Sequence, residues 1–192
     1  NVDIDMRPLC VLIGANGVGK TSFLDVMALL AASADGKLNA FVTERGGLPT
    51  MITYDYAQSL DISLTMQAEE LKPLVYDLSI TPTGLAFTFE RERLSQQNGK
   101  ADAPFKHIDS RNGEIKYYEL GTKKPVRPNW EHNPLESSLS QVPRMFKTPE
   151  MFRRVLGSST YYHVLDVAPR SPVRLPQTMR PAGLPGQDGE DL

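Results

Sequence analysis

Eight consecutive residues have the types and spacing that a phosphate-binding loop requires. In order they are Gly14, Ala15, Asn16, Gly17, Val18, Gly19, Lys20 and Thr21, which fit the pattern G-x-x-x-x-G-K-[ST] in full. Glycines allow successive backbone N–H groups to point inward around a phosphate, and a helix that follows aims its positive end at the same place. The sequence therefore predicts a site for a nucleoside triphosphate, either ATP or a close relative.

Polar side chains at the end of this loop have separate expected roles. Lys20 is predicted to reach the β- and γ-phosphate oxygens, which makes it the first candidate catalytic residue. The Thr21 hydroxyl is predicted to bind Mg²⁺. Ser22 is a further candidate for a phosphate contact, and the alternative is an ordinary serine on the helix surface.

The elements on either side of the loop are the ones that such a site needs. The apolar run from Pro8 to Ile13 predicts a buried strand, in which Cys10 is expected to be a small core residue. Apolar residues at helical spacing after the loop predict a helix from Lys20 to about Ala34, which Asp35 and Gly36 end. The expected order is strand, loop, helix within residues 1–50.

The middle of the chain, residues 51–124, changes to a period of two. Polar and apolar residues alternate there, which is typical of strands with one buried face. Strands are predicted near 51 to 55, 59 to 67, 73 to 81, 85 to 93 and 113 to 120. Turns are predicted at Thr83-Gly84, Asn98-Gly99 and Asn112-Gly113. The expected fold class is α/β, in which the half-sheet of a P-loop NTPase carries an antiparallel β meander lobe.

Residues 125–192 are predicted to be a connection rather than a separate core. Residues 125–134 are broken by prolines, and a short helix should begin with Thr148 as its cap and Pro149 in its first turn, and end near Leu156. A buried strand is expected at 161–167, followed by an irregular proline-rich segment at 169–186.

Composition limits the class of protein. The chain has 192 residues, 40% hydrophobic and 23% charged, as expected for one globular domain. The longest apolar run, Leu24 to Ala32, is far shorter than the roughly 20 residues of a membrane span. One cysteine rules out a disulfide framework and fits the reducing cytoplasm. The three histidines have no ligand spacing, so none is assigned to metal or catalysis.

Charge is unevenly distributed along the chain. Its net charge is -2, yet residues 90–180 carry 16 Lys and Arg against 10 Asp and Glu. Basic residues interleaved with Tyr117, Tyr118 and Trp130 could face nucleic acid. The alternative is a solvated lobe whose charges are spread over all its sides.

The stretch from Leu9 to Leu30 resembles the opening of ABC-class ATPase heads of the SMC and RecF type, in particular the small predicted bacterial ATPases related to them. Asn16 before Gly17, and the apolar-Leu-Asp run after the lysine, separate that group from GTPases and small-molecule kinases. Two segments, 44–48 and 174–192, are similar to the family more weakly. The resemblance implies ATP with Mg²⁺ and a homodimer that closes head to tail on the nucleotide.

The same resemblance implies a glutamine that touches Mg²⁺ and the attacking water. Gln141 is the best match and so a candidate catalytic and metal-binding residue; its rivals are Gln58, Gln96 and Gln97. The family's Leu-Ser-Gly-Gly signature and its apolar strand ending in Asp-Glu are absent. The nearest imitation of that strand, 162–166, is interpreted as structural. We therefore expect this chain to be the N-terminal part of a longer ATPase.

Three functions compete at this point. The first is an ATPase head that couples closure on Mg-ATP to work on nucleic acid or on an effector protein. The second is a binding module that closes on ATP with little or no hydrolysis. The third, a GTPase or kinase, is disfavoured because Thr122-Lys123-Lys124-Pro125 fails at the last position of the guanine-reading motif.

Overall fold

A computed structural model of the chain describes residues 2–52, 57–68, 71–97, 103–119 and 124–159. These residues form four helices and six strands, whose bounds follow in chain order: α1 Lys20–Asp35, α2 Leu38–Glu44, α3 Leu48–Met51, β1 Leu60–Ala68, β2 Leu71–Thr83, β3 Ala86–Gln96, β4 Phe105–Arg111, β5 Tyr117–Tyr118, β6 Pro125–Val126 and α4 Lys147–Gly157. None of the helices in these ranges is long and apolar enough to cross a membrane.

The six strands make one antiparallel sheet in sequence order, from β1 to β6. Gly84, with a φ of 63°, turns β2 back into β3, and Asn112 and Gly113, with φ of 48° and 82°, follow β4. These are the positive angles that two-residue hairpin turns require. Because consecutive strands always pair, the sheet is a meander.

One face of the sheet is apolar and packs against the helices. Its buried residues alternate along each strand with residues on the opposite face, as the pleat requires. The helical side of the core is contributed by the second half of α1, by α2, by α3 and by α4. The largest of the fully buried members are Leu29, Leu30, Leu38, Leu48, Leu74, Tyr76, Leu78, Ile80, Leu94, Ile108, Tyr117 and Phe152.

Helix α1 is buried along only part of its length. Leu29, Leu30 and Ala34 are fully buried, whereas Leu24 is 40% exposed. Gly36 ends the helix in the left-handed conformation, and its N–H donates to the Ala32 carbonyl. The C-terminal half of α1 is therefore anchored in the core, Val26 and Met27 pack at its edge, and the first turn is the most exposed part of the helix.

A buried carboxylate ties the sheet to the loop that precedes α4. Glu92 on β3 accepts hydrogen bonds from the backbone N–H groups of Ser138 and Leu139, at 2.6 and 2.8 Å, and from the Tyr76 hydroxyl at 3.0 Å. Ser137 continues the connection, since its hydroxyl donates to the Ser33 carbonyl of α1. Burial raises the pKa of Glu92.

The antiparallel meander is confirmed, with differences at its ends. The strand predicted near 51 to 55 is wrong at Met51, which ends α3, while 53–56 lie outside the described residues. The strand predicted at 113 to 120 is reduced to β5, and β4 and β6 were missed. The Asn98-Gly99 turn and everything predicted beyond 159 lie outside the described residues. Thr148 is not the cap of α4, because the helix begins one residue earlier, at Lys147.

Candidate functional site

The loop from Gly14 to Thr21 is shaped by its glycines. Gly17 and Gly19 have φ of 84° and 92°, in the region that L side chains avoid. Gly14 is restricted in another way, because a Cβ there would lie 2.9 Å from Cγ2 of Val18. Gly17 and Gly19 are thus favoured by the backbone of this turn, and a side chain at Gly14 would require Val18 to move.

Lys20 is folded back over this loop. Its Nζ donates to the carbonyls of Gly14 and Ala15, at 2.7 Å each. These contacts hold the ammonium beside the turn rather than out in solvent. An anion bound in the turn would meet a positive charge already positioned there, and the amine could exchange a carbonyl partner for a phosphate oxygen.

The first turn of α1 adds further attraction for an anion. No side chain caps the helix, and no acidic residue lies in its first turn. Its leading N–H groups therefore keep their hydrogen-bonding capacity, and the helix dipole is positive at this end. Thr21 and Ser22 are exposed on the same turn. The loop, the helix end and Lys20 together fit a phosphate group.

The segment that leads into the loop differs from the expected buried strand. Residues 8–13 form no strand, and Leu9, Val11 and Ile13 are 82, 72 and 90% exposed. Cys10 is also exposed, with its Sγ 3.2 Å from the Arg7 nitrogen, so its assignment to the core is wrong. A parallel strand is buried only when neighbours cover it. In the described ranges, the whole sheet comes from residues 60–126 and none of it pairs with this segment.

The structure does not bring Gln141 to the loop. Gln141 lies beside the opposite end of α1, since its neighbour Ser140 contacts the position of Gly36. A helix of 16 residues is about 24 Å long, which separates Gln141 from Lys20 by a similar distance. Its side chain is engaged locally: Oε1 accepts from the Asn133 N–H at 2.8 Å, and Nε2 donates to the Asn133 carbonyl at 3.0 Å. The rival Gln96 donates to the Lys72 carbonyl from β3.

A carboxylate near the loop was not singled out from the sequence. Asp25 follows Thr21 by four residues and so lies on the same face of α1, one turn along. Its carboxylate is 3.9 Å from the Arg45 guanidinium, which also stacks on Phe41. The spacing of four could have identified Asp25. In the described ranges, including the surroundings of Asp25, no group of three or more His, Cys, Asp or Glu side chains is arranged to hold a metal ion.

Two of the histidines, His107 and His132, lie in surroundings that lower their pKa values. His107 is buried on β4, where its Nε2 is 3.2 Å from Oε1 of Gln96, and burial lowers its pKa to about 4. Burial also lowers the pKa of His132. His163 lies outside the described residues. Tyr117 is fully buried and belongs to the core, whereas Trp130 is partly buried and stacks on Tyr117 from outside the core.

Comparison with known proteins gives one family. The sequence model described as "AAA domain, putative AbiEii toxin, Type IV TA system" matches residues 9–163. This span begins at the apolar residues before the loop and includes the whole sheet and α4. Searches of curated proteins and of solved structures found no significant match.

Proposed function

Because the chain belongs to this AAA-domain family, and so to the P-loop ATPases, we propose that the loop from Gly14 to Thr21 binds ATP with Mg²⁺. The observation that carries the proposal is the position of Lys20, whose ammonium lies over a turn built from glycines at the uncapped end of α1. Two sources of positive potential, the Lys20 ammonium and the N-terminal end of α1, meet at this turn, and both attract a triphosphate.

Each residue of the loop has a proposed part in binding. The backbone N–H groups of residues 14–19 surround the phosphates, and Lys20 exchanges its carbonyl partners for phosphate oxygens. Ser22 adds a phosphate contact. Thr21 supplies one ligand to Mg²⁺, which when bound neutralises charge on the β- and γ-phosphates. Asp25, one turn after Thr21 and 3.9 Å from Arg45, would hold a water of the magnesium shell if it left Arg45.

The role of the bound nucleotide is proposed from the resemblance to SMC and RecF heads. We propose that two copies close head to tail on Mg-ATP, and that closure drives work on nucleic acid or on an effector protein. The exposed loop supports this proposal, because a second copy can approach the triphosphate from outside. The single cysteine supports action in the cytoplasm.

The alternative is a nucleotide-dependent binding module with little or no hydrolysis. It is favoured by Gln141, the candidate for positioning water, which is engaged with Asn133 at the far end of α1. Binding without turnover under saturating Mg-ATP would decide for the module.

A titration with nucleotides tests the proposed binding. We expect ATP to bind in the presence of Mg²⁺ and to bind more weakly in EDTA, since the metal offsets repulsion between the triphosphate oxygens. GTP serves as the comparison at the same concentrations. Preferred binding of GTP, or equal binding of ATP with and without magnesium, would contradict the proposal.

A further inference from the structure

The sheet has an outer face that points away from the helices, and the half of this face formed by β3 to β6 is strongly charged. Alternation along the strands and the register between them put eight charged side chains on this face over β3 to β6. They are Arg91, Arg93, Lys106, Asp109, Arg111, Glu114, Lys116 and Arg127. Six cations and two carboxylates give a net charge of +4. We call this set the basic face.

The two carboxylates of the basic face are each shared by several cations. Asp109 lies 2.7 Å from Lys106, 3.5 Å from Arg93 and 3.7 Å from Arg111. Glu114 lies 3.0 Å from Arg127 and 3.2 Å from Lys116. Ion pairing within the basic face therefore leaves an excess of positive charge around each of the two carboxylates.

Two arginines of the basic face lie directly opposite each other on neighbouring strands, and Arg111 also contacts the Asp109 carboxylate at 3.7 Å. Arg91 and Arg111 are direct partners in the β3–β4 register, and both are exposed. Among the described residues, Arg91 forms no ion pair. Like charges directly opposite each other destabilise a sheet. A bound anion would relieve this repulsion.

The neighbouring strands β1 and β2 carry carboxylates on the same face of the sheet. Asp61 on β1 and Asp77 on β2 lie on the same face, where they bond to the hydroxyls of Ser79 and Ser63. Negative charge on β1 and β2 repels an anion that the basic face attracts. A polyanion is thus directed onto β3 to β6.

From these observations we propose that the basic face binds the phosphate backbone of a nucleic acid duplex. Four of its six cations are arginines, whose planar guanidinium groups match phosphate oxygens in pairs. Arg91 and Arg93, two residues apart on one strand, are spaced by about 7 Å. Binding of single strands needs aromatic side chains on which bases stack. The nearby Tyr117 is fully buried, and Tyr118 is only partly exposed.

This inference deepens the proposed function, on which it rests for the existence of a nucleic acid partner. The surface itself is distinct from the loop, so the two can fail separately. Lys20→Ala, which removes the proposed phosphate contact of the loop, is expected to leave binding to the duplex unchanged in the absence of nucleotide.

Fluorescence anisotropy with a labelled 20-base-pair duplex tests the proposal on the full chain. The double variant R91A/R111A is expected to bind the duplex at least about tenfold more weakly and to reduce the slope of log K against log salt by about 2. The control is K37A/R154A, which removes two exposed cations from the helical side, where the side chains are 70 and 78% exposed.

The outcomes separate the proposal from its rivals. An equal loss of duplex affinity in both double variants would mean that net charge alone matters. This result would overturn the proposal. Competition by polyglutamate as strong as that by unlabelled duplex would also overturn it, in favour of an acidic protein partner. Tighter binding of a single strand than of the duplex would contradict the proposal that the basic face binds a duplex. Circular dichroism checks that both variants are folded.

Discussion

Replacing the buried carboxylate of Glu92 tests how the sheet and the helices are held together. Glu92→Ala removes the acceptor of two backbone N–H groups, those of Ser138 and Leu139, and of the Tyr76 hydroxyl. All four residues are buried, so water does not replace the lost partner without rearrangement. The variant therefore leaves three donors unsatisfied.

The expected loss follows from the number of donors. Each buried polar group left without a partner costs about 1 to 3 kcal/mol. Part of this loss is offset, because burial already disfavours the charged form of Glu92 in the wild type and the alanine variant does not carry this cost. We expect Glu92→Ala to lower the free energy of unfolding by about 3 to 6 kcal/mol, a large fraction of the roughly 5 to 15 kcal/mol of an ordinary domain.

Urea unfolding followed by circular dichroism measures this loss. The matched control is Glu90→Ala, which removes an exposed carboxylate two residues away on the same strand and should change stability by less than about 0.5 kcal/mol. Glu92→Gln, which keeps one acceptor oxygen, should fall between the two. A free energy of unfolding for Glu92→Ala that lies within about 1 kcal/mol of the wild-type value, as is expected for the control Glu90→Ala, would refute the reasoning.

Three further predictions concern other residues. Because burial lowers the pKa of His107 to about 4, this group stabilises the folded state above the ordinary histidine value of 6.5, and its contribution is lost as the pH falls towards 4. Between these values the wild type should lose up to about 3 kcal/mol more than His107→Gln in urea unfolding, and parallel pH profiles would contradict this. Gly19→Ala, at a φ of 92°, should cost about 1 to 2 kcal/mol and weaken ATP binding in a titration; unchanged affinity would show that the turn tolerates a side chain. The chain should bind Mg-ATP but turn it over more slowly than about 1 per second, because Asp25, the carboxylate one turn after Thr21, is paired with Arg45 and is proposed to hold a magnesium-bound water rather than to act as a base; a faster steady-state rate would show that a catalytic carboxylate has been missed.

Local rules were enough to predict much of the fold from the sequence. The glycines and Lys20 define the loop because few other residues adopt its backbone angles. Period-two alternation located β1, β2 and β3, Gly84 located the turn between β2 and β3, and Asn112 located the turn after β4. These features depend on residues close together in the chain.

Features that depend on distant neighbours were not predicted correctly. Leu9 to Ile13 has the composition of a buried strand, but burial depends on what packs beside it, and no described strand does. Gln141 was chosen by similarity of a short segment, whereas its position is set by hydrogen bonds of its loop to Asn133. Glu92 gave no signal, because a glutamate in an alternating strand is normally exposed.

The central claim, that Lys20 holds the phosphates of ATP, is tested most directly by isothermal titration calorimetry of Lys20→Ala with Mg-ATP. Lys37→Ala is the control, since it removes an exposed lysine just beyond the other end of α1. Charge-assisted contacts are worth about 1.5 to 3 kcal/mol, so Lys20→Ala should weaken binding by about one to two decades while Lys37→Ala leaves it unchanged. Equal affinity of Lys20→Ala and the wild type for Mg-ATP would contradict the claim.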